Sequence, residues 1–333
     1  MHSAQRKGIN GAQSYLSLTP GEKGLQAGKV RIGTRGSPLA LAQSHDVRRR
    51  LAAAHGFSED QSELFIIKTS GDIIVDRPLA EEGGKGLFTK EIEEALLAGR
   101  IDLAVHSTKD MQTVLPRGLA IAATLKREDP RDAFISLKYR TLDELPAGAR
   151  VGTSSLRRQA QVLRQRPDLK IVPFRGNVET RLKKLADGAA EATFLACAGL
   201  NRLGLGRHIT QPMPTDVMLP AVGQGAVAIE IRSDDEDTAR LIAPLNDAAT
   251  ALCVAAERAF LAVLDGSCRT PIAGLAELAE GTLRFRGEIL SPAGTRRYFT
   301  EQRGPAQSAL RLGETAAREL LSTAGPDFLH SLA

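Results

Sequence analysis

The 333-residue chain has no tryptophan, and aromatic residues make up only 4% of it. Stacking platforms of the kind that hold single-stranded nucleic acid are therefore poorly supplied. Cysteine is scarce too: Cys197, Cys253 and Cys268 form no CxxC pair and no Cys/His ligand spacing, and their number is odd. That argues against a disulfide framework and against a structural metal. No run of about 18 apolar residues occurs, and the N-terminus lacks the apolar core of a secretory signal, so a cytoplasmic protein without a membrane span is expected. Residues 1–29 carry Arg6, Lys7, Lys23 and Lys29 against Glu22 alone, with Pro20 and several glycines. They read as a disordered N-terminal extension, with an organellar transit peptide as the alternative.

What is present is ordinary globular composition, long enough for two or three domains. The formal charge of +5 is unevenly spread: residues 31–125 sum to −1, 126–207 to +8 and 208–333 to −5. Arginine outnumbers lysine 32 to 12, and a guanidinium forks onto carboxylates where an ammonium acts as a point charge.

From Val30 the pattern alternates strand and helix. Val30 to Thr34 reads as a strand, and Ser37-Pro38 as an N-cap and first turn for a helix from Leu39 to Ala54. Leu64 to Thr69 (strand), Phe88 to Ala98 (helix) and Ile101 to Val105 (strand) follow. A second start at Arg150 echoes the first: Arg150-Val151-Gly152-Thr153-Ser154-Ser155 against Arg31-Ile32-Gly33-Thr34-Arg35-Gly36-Ser37. Helices are expected at Ser155 to Gln165 and Val178 to Ala186, and strands at Lys170 to Phe174 and Ala192 to Ala196. A strand at Ala226 to Arg232 is placed to return to the first sheet. Beyond the acidic run at 234–237, a helix from Ala248 to Leu264, a hairpin of Thr282 to Leu290 with Arg296 to Arg303, and a helix from Ala306 to Thr323 form a small α+β unit. The expected division is 1–29 extension, 30–125 plus 226–244 first α/β lobe, 126–225 arginine-rich second lobe, and 245–333 third domain.

Polar residues gather where strands run into helices, the ends at which open α/β sheets bind ligands. Thr153, Ser154 and Ser155 at a helix start are followed at once by Arg157 and Arg158, a combination suited to a carboxylate or phosphate; the plain alternative is an N-cap with solvated arginines. Arg175-Gly176-Asn177 closes another strand, with Arg181 one turn on, and Arg202 follows a third. Arg35 and Ser37 open the first helix, and His106-Ser107-Thr108-Lys109-Asp110 follows the strand ending at Val105. The Lys109-Asp110 pair reads either as a surface ion pair or as a cleft group that steadies a cation and moves a proton. The run 81–88 is glycine-rich but fits neither the Walker nor the dinucleotide pattern, and reads as a mobile lid carrying Lys85. Cys197 and Cys253 sit in apolar surroundings and read as core. Cys268 lies in a polar loop, open to both a buried structural role and a reactive one.

Taken in order, these segments resemble the porphobilinogen deaminase family from Val30 through the C-terminal helix. The resemblance rests on Thr34-Arg35-Gly36-Ser37-Pro38-Leu39-Ala40, Gly83 to Phe88, Val105 to Asp110, Arg127 to Phe134, Val151 to Gln159, Arg175-Gly176-Asn177, Leu219 to Ala226 and the Cys268 loop. It implies an α/β fold of two periplasmic-binding-protein-like (type 2) lobes with mixed, mostly parallel sheets, plus a small α+β C-terminal domain. It implies a transferase of tetrapyrrole (heme) biosynthesis, a hydroxymethylbilane synthase. Four porphobilinogens would be condensed head to tail, with loss of ammonia, on a dipyrromethane primer joined to Cys268, and hydroxymethylbilane released by hydrolysis. A monomer is implied, with porphobilinogen and the growing oligopyrrole chain as partners and neither nucleic acid nor membrane.

The same resemblance assigns Asp110 to the pyrrole N–H groups and to the cation left by departing ammonia. Each pyrrole brings an acetate and a propionate, so Arg35, Lys109, Arg157, Arg158, Arg175, Arg181 and Arg202 are assigned to carboxylates, with Ser37, Lys85, Phe88, Ser107, Thr153, Ser154, Ser155, Gly176, Asn177 and Gln224 completing the binding set. Charge-assisted hydrogen bonds of this kind contribute roughly 1.5–3 kcal/mol each. Gly36, Ser70 and Met111-Gln112 depart from the family pattern, without removing a charged catalytic residue. A non-catalytic anion-binding protein on the same lobes is the alternative, and a nucleic-acid binder a third reading that the strand-end placement of the basic residues disfavours.

Overall fold

Ser37 and Gly56 set the limits of the first helix. The Ser37 hydroxyl accepts from the Ala40 amide at 3.3 Å, Pro38 fills the first turn, and Gly56 ends it in the left-handed conformation at φ 66°. The computed structural model describes residues 29–73, 86–264, 271–325 and 328. Lys85, Cys268 and the extension up to residue 28 lie outside the described residues.

The first lobe contains β1 (Val30–Thr34), α1 (Pro38–His55), β2 (Ser62–Ile66), the short α2 (Ser70–Ile73), α3 (Lys90–Leu97), β3 (Leu103–Ser107) and β4 (Leu119–Thr124). The second contains β5 (Asp132–Ser136), β6 (Arg150–Gly152), α4 (Leu156–Gln165), β7 (Lys170–Val172), α5 (Val178–Ala186), β8 (Ala192–Ala196), α6 (Cys197–Arg202) and β9 (Gln211–Pro212). The chain then returns through β10 (Val227–Arg232) and α7 (Glu236–Ile242). The strand at 226–232 does rejoin the first sheet, inserted antiparallel between β3 and β4, so that the order is β2-β1-β3-β10-β4. The second sheet, β7-β6-β8-β5-β9, repeats this arrangement: parallel pairs on one side, and an antiparallel strand from the segment that has just crossed between lobes. Two chain crossings therefore join two similarly wound α/β lobes.

The third unit has α8 (Ala248–Val263), β11 (Ile272–Ala279), β12 (Thr282–Leu290), β13 (Arg297–Pro305) and α9 (Ala309–Ala324), with an antiparallel sheet β11-β12-β13. Phe260, Phe285, Ile289, Leu312, Ala316 and Leu320 lie in its core. Each lobe has its own core, with Ile32, Val47, Leu103 and Ile229 in the first and Phe134, Val151, Val162 and Phe194 in the second.

Several boundaries move from the expected ones for identifiable reasons. The strand expected at 101–105 runs from 103 to 107, because β10 pairs Val227 with Ser107 and carries the ladder past Val105. The strand expected at 64–69 occupies 62–66, in register with all five residues of β1. The strand from Lys170 stops at Val172, ahead of Pro173, which has no amide to donate. The helix expected from Phe88 begins at Lys90, and the last helix begins at Ala309 after a 3-10 turn at 306–308.

Candidate active site

The strand ends of the two sheets bring most of the expected polar residues together. Arg35, directly after β1, donates from Nε and Nη2 to Asp72 at 3.2 and 2.5 Å, and its guanidinium lies 4.2 Å from the centre of the Phe88 ring. Its remaining nitrogen, Nη1, stands 4.0 Å from Asp110 Oδ2. Burial alone would raise the Asp72 pKa, but Arg35 and Thr69 more than offset this and hold it below the usual carboxylate range. Asp72 thus orients Arg35, a role no local motif announced. Arg35, Ser37, Phe88, Ser107 and Asp110 line one cavity of about 50 Å³, together with Gln43 and His106. The Gln43 amide exchanges hydrogen bonds with the Ser107 hydroxyl at 2.9 and 3.1 Å.

On the second lobe, Arg157 and Arg158 are not solvated. Both are buried and share the carboxylate of fully buried Asp132, at 2.7 Å each. Arg157 also donates to the Leu219 carbonyl, and Arg158 to that of Phe194. Burial opposes ionisation of Asp132, yet the two guanidiniums hold its pKa far below the usual range. Gln224 is buried as well: its amide donates to the Pro130 carbonyl and to Asp132, and its oxygen accepts from Lys109 Nζ at 3.4 Å. Asp132 and Gln224 therefore tie the second-lobe arginines to Lys109 of the first lobe. Lys109 is open to the cleft yet surrounded by protein atoms. Lost hydration, with Arg158 and Arg157 nearby, outweighs Asp110 and Asp132 and lowers its pKa to about 8.

The hydroxyl and amide residues serve the backbone first. Thr153 accepts from the Ser155 amide, Ser154 from Phe174, Ser155 from Arg158, and Asn177 caps α5 through Thr180. Gly176, at φ 119° with Thr180 atoms 2.7 Å from where a Cβ would stand, can only be glycine, and its carbonyl accepts from Arg181 Nε. Burial, then Arg158, lowers the Arg181 pKa to about 10 despite Asp110. Arg175 Nη1 is buried without a hydrogen-bond partner. Arg202 is not brought to Asp110. It donates to the Gly225 carbonyl, and its charged neighbours are Glu128, Asp46 and Arg50. Cys197 and Cys253 are buried, and burial pushes their thiols up to about 12 and about 11, so both are inert core.

The site is thus a wall of arginine and lysine with one carboxylate, Asp110, facing it. Two family profiles match this chain: "Porphobilinogen deaminase, dipyromethane cofactor binding domain" over residues 30–240, and "Porphobilinogen deaminase, C-terminal domain" over 251–322. The chain belongs to the porphobilinogen deaminase family. The porphobilinogen deaminase of Paracoccus denitrificans is 58% identical over 299 residues, 90% of this chain and 96% of that one. That of Nitrobacter hamburgensis is 57% identical over 89% of this chain and 94% of its own length. Among solved structures, the second substrate binding domain of a putative amino acid ABC transporter from Streptococcus pneumoniae matches 65% of this chain and 90% of its own, at 14% identity and a TM-score of 0.40. A putative methionine-binding lipoprotein from Bacillus subtilis matches 65% and 88%, at 14% and 0.39. Scores this low add nothing to the strand order already described.

As a member of the porphobilinogen deaminase family the chain is a hydroxymethylbilane synthase. It condenses porphobilinogen with loss of ammonia on a dipyrromethane cofactor and releases hydroxymethylbilane. The residues present fit that cofactor. Its carboxylates call for cations not already neutralised, and Arg175 Nη1 is a buried donor with no partner, while Arg181 makes no carboxylate ion pair among the described residues. No helix among the described residues is long and apolar enough to cross a membrane.

Proposed function

We propose a division of labour within this site. Arg175, Arg181 and Lys109 bind acetate and propionate groups of the cofactor and of the chain built on it. Arg35 binds a carboxylate of the incoming porphobilinogen from the position Asp72 and Phe88 fix. Arg157 and Arg158 act chiefly through Asp132, holding a buried positive floor rather than offering free forks, and Ser37, Ser107 and the hydroxyls of 153–155 complete the anion sites. The observation that carries this reading is the buried, partnerless Nη1 of Arg175 beside a desolvated Arg181: burying charge without a partner is expensive, and an anionic ligand removes the cost. When bound, the cofactor supplies a nucleophilic pyrrole carbon from which the chain grows. Asp110, with Arg35 Nη1 at 4.0 Å, holds pyrrole N–H groups and stabilises the positive charge that develops as ammonia leaves.

Cys268 is the proposed attachment point, and Lys85 a further carboxylate ligand. The chain divides at 30–125 plus 226–244, 126–225 and 245–333, works as a monomer in the cytoplasm and binds no nucleic acid. The purified protein should exceed its sequence mass by one dipyrromethane, and Cys268→Ser should lose that increment and all turnover. A Cys268→Ser protein that keeps the adduct would move the attachment elsewhere.

A further inference from the structure

Behind the Asp110 cavity lies a group of buried titratable side chains that the roles above leave unused. His106, the penultimate residue of β3, is 4% exposed and lines the same cavity as Asp110. Its Nε2 lies 3.1 Å from Glu230 Oε2 on the neighbouring strand β10, and Glu230 is fully buried. The register explains the contact: Ala104 stands opposite Glu230 and His106 opposite Ala228, so the two side chains are diagonal neighbours on one face. Glu93 of α3, 3% exposed, is within electrostatic reach of both, with one oxygen accepting from Gln112 at 3.3 Å. Burial, and then Glu230, raise its pKa. The charged groups facing the imidazole are thus Glu230 from β10, Glu93 from α3, and Arg35 and Asp110 across the cavity; α1 contributes uncharged Gln43.

Every condensation must dispose of a proton. A C–H bond at a pyrrole carbon and the C–N bond of a protonated aminomethyl group are exchanged for one C–C bond; nitrogen leaves as ammonia, and the hydrogen as a proton. If Asp110 takes that proton it must lose it before the next round. We propose that His106, held by Glu230, accepts the proton from Asp110 through water in the shared cavity and passes it on to the ammonia already released in that round, so that nitrogen and proton leave together as ammonium. The cavity of about 50 Å³ has room for water, which needs roughly 10–15 Å³. Glu230 fixes which ring nitrogen faces the cavity, as a carboxylate partner does for a working histidine. This rests on the reading of Asp110 given above.

His106→Asn keeps a hydrogen-bond donor for Glu230 but cannot relay. In holo protein, verified by the dipyrromethane mass increment, kcat should fall at least tenfold with the porphobilinogen KM changed less than twofold. Glu230→Gln, read on the same holo footing, should also lower kcat with KM changed less than twofold, since the amide replaces the carboxylate that holds the ring at 3.1 Å. A merely structural pair would lower the folded fraction and leave kcat per holo molecule unchanged. His106→Asn with unchanged kcat in verified holo protein overturns the relay. Loss of turnover in the wild type would instead contradict the assigned reaction.

Discussion

Asp110 is the carboxylate proposed to meet the reacting groups, and its surroundings are cationic: Arg35 at 4.0 Å, with Lys109 and Arg181 within electrostatic reach. Asp110→Asn should keep the fold and the attached cofactor while lowering kcat at least a hundredfold, within the typical range of general acid–base contributions; mass spectrometry and a porphobilinogen turnover assay read both. Lys109 gives a prediction in pH. Its pKa is lowered to about 8, so its charge is present below that value and lost as pH rises through it. Held chains should therefore be positioned less well above about pH 8, so kcat should fall there, whereas Lys109→Gln should show a lowered kcat with no such fall. The candidate cations were legible because each follows a strand end in a short polar motif. Asp72 and Asp132 were not assigned, since a counter-ion is defined by what folding brings to it, from 37 residues away in one case and 25 in the other.

At the scale of elements, helices announced themselves by caps and strands by alternation. α1, α4 and α5 are bounded almost as their Ser37, Ser155 and Asn177 caps indicate. β11 escaped because Ile272-Ala273-Gly274-Leu275-Ala276 is buried throughout and lacks a period of two, and β5 because it is a short, nearly continuous buried run. The packing of α8 on α9 had no sequence signal either. A Cβ at Gly313 would stand 2.0 Å from the Ala256 carbonyl oxygen, so the two backbones meet where only glycine fits. Gly313→Ala should push the helices apart and cost about 1–3 kcal/mol, as overpacking does, read as a lower midpoint of denaturant unfolding at unchanged kcat per folded molecule.

At the scale of the molecule, Asp132 joins what the chain order separates. It stands at the start of β5, takes two arginines from α4, and reaches Lys109 of the other lobe through Gln224. Its depressed pKa means that the stability it contributes is complete above the ordinary carboxylate value, about 4, and is lost as pH falls further. Asp132→Asn leaves two buried guanidiniums short of a counter-charge and should cost about 3–5 kcal/mol. The destabilisation should be largest at neutral pH and shrink in acid. The two-lobed plan was legible in the repeated strand-to-helix starts at Arg31 and Arg150, and the return of β10 in its apolar run. The hydrogen-bonded joint between the lobes was not, because it is assembled from four distant segments. What the +8 of residues 126–207 becomes in three dimensions is a cleft wall whose arginines are partly neutralised by Asp132 and partly without a carboxylate partner among the described residues.

The most direct test of that cleft is the intact mass of the wild-type protein before and shortly after mixing with limiting porphobilinogen. A resting species one dipyrromethane heavier than its sequence, followed by a ladder of one to four further pyrrole increments, is the predicted result. An enzyme that makes hydroxymethylbilane while its mass stays at that of the bare polypeptide would contradict the account.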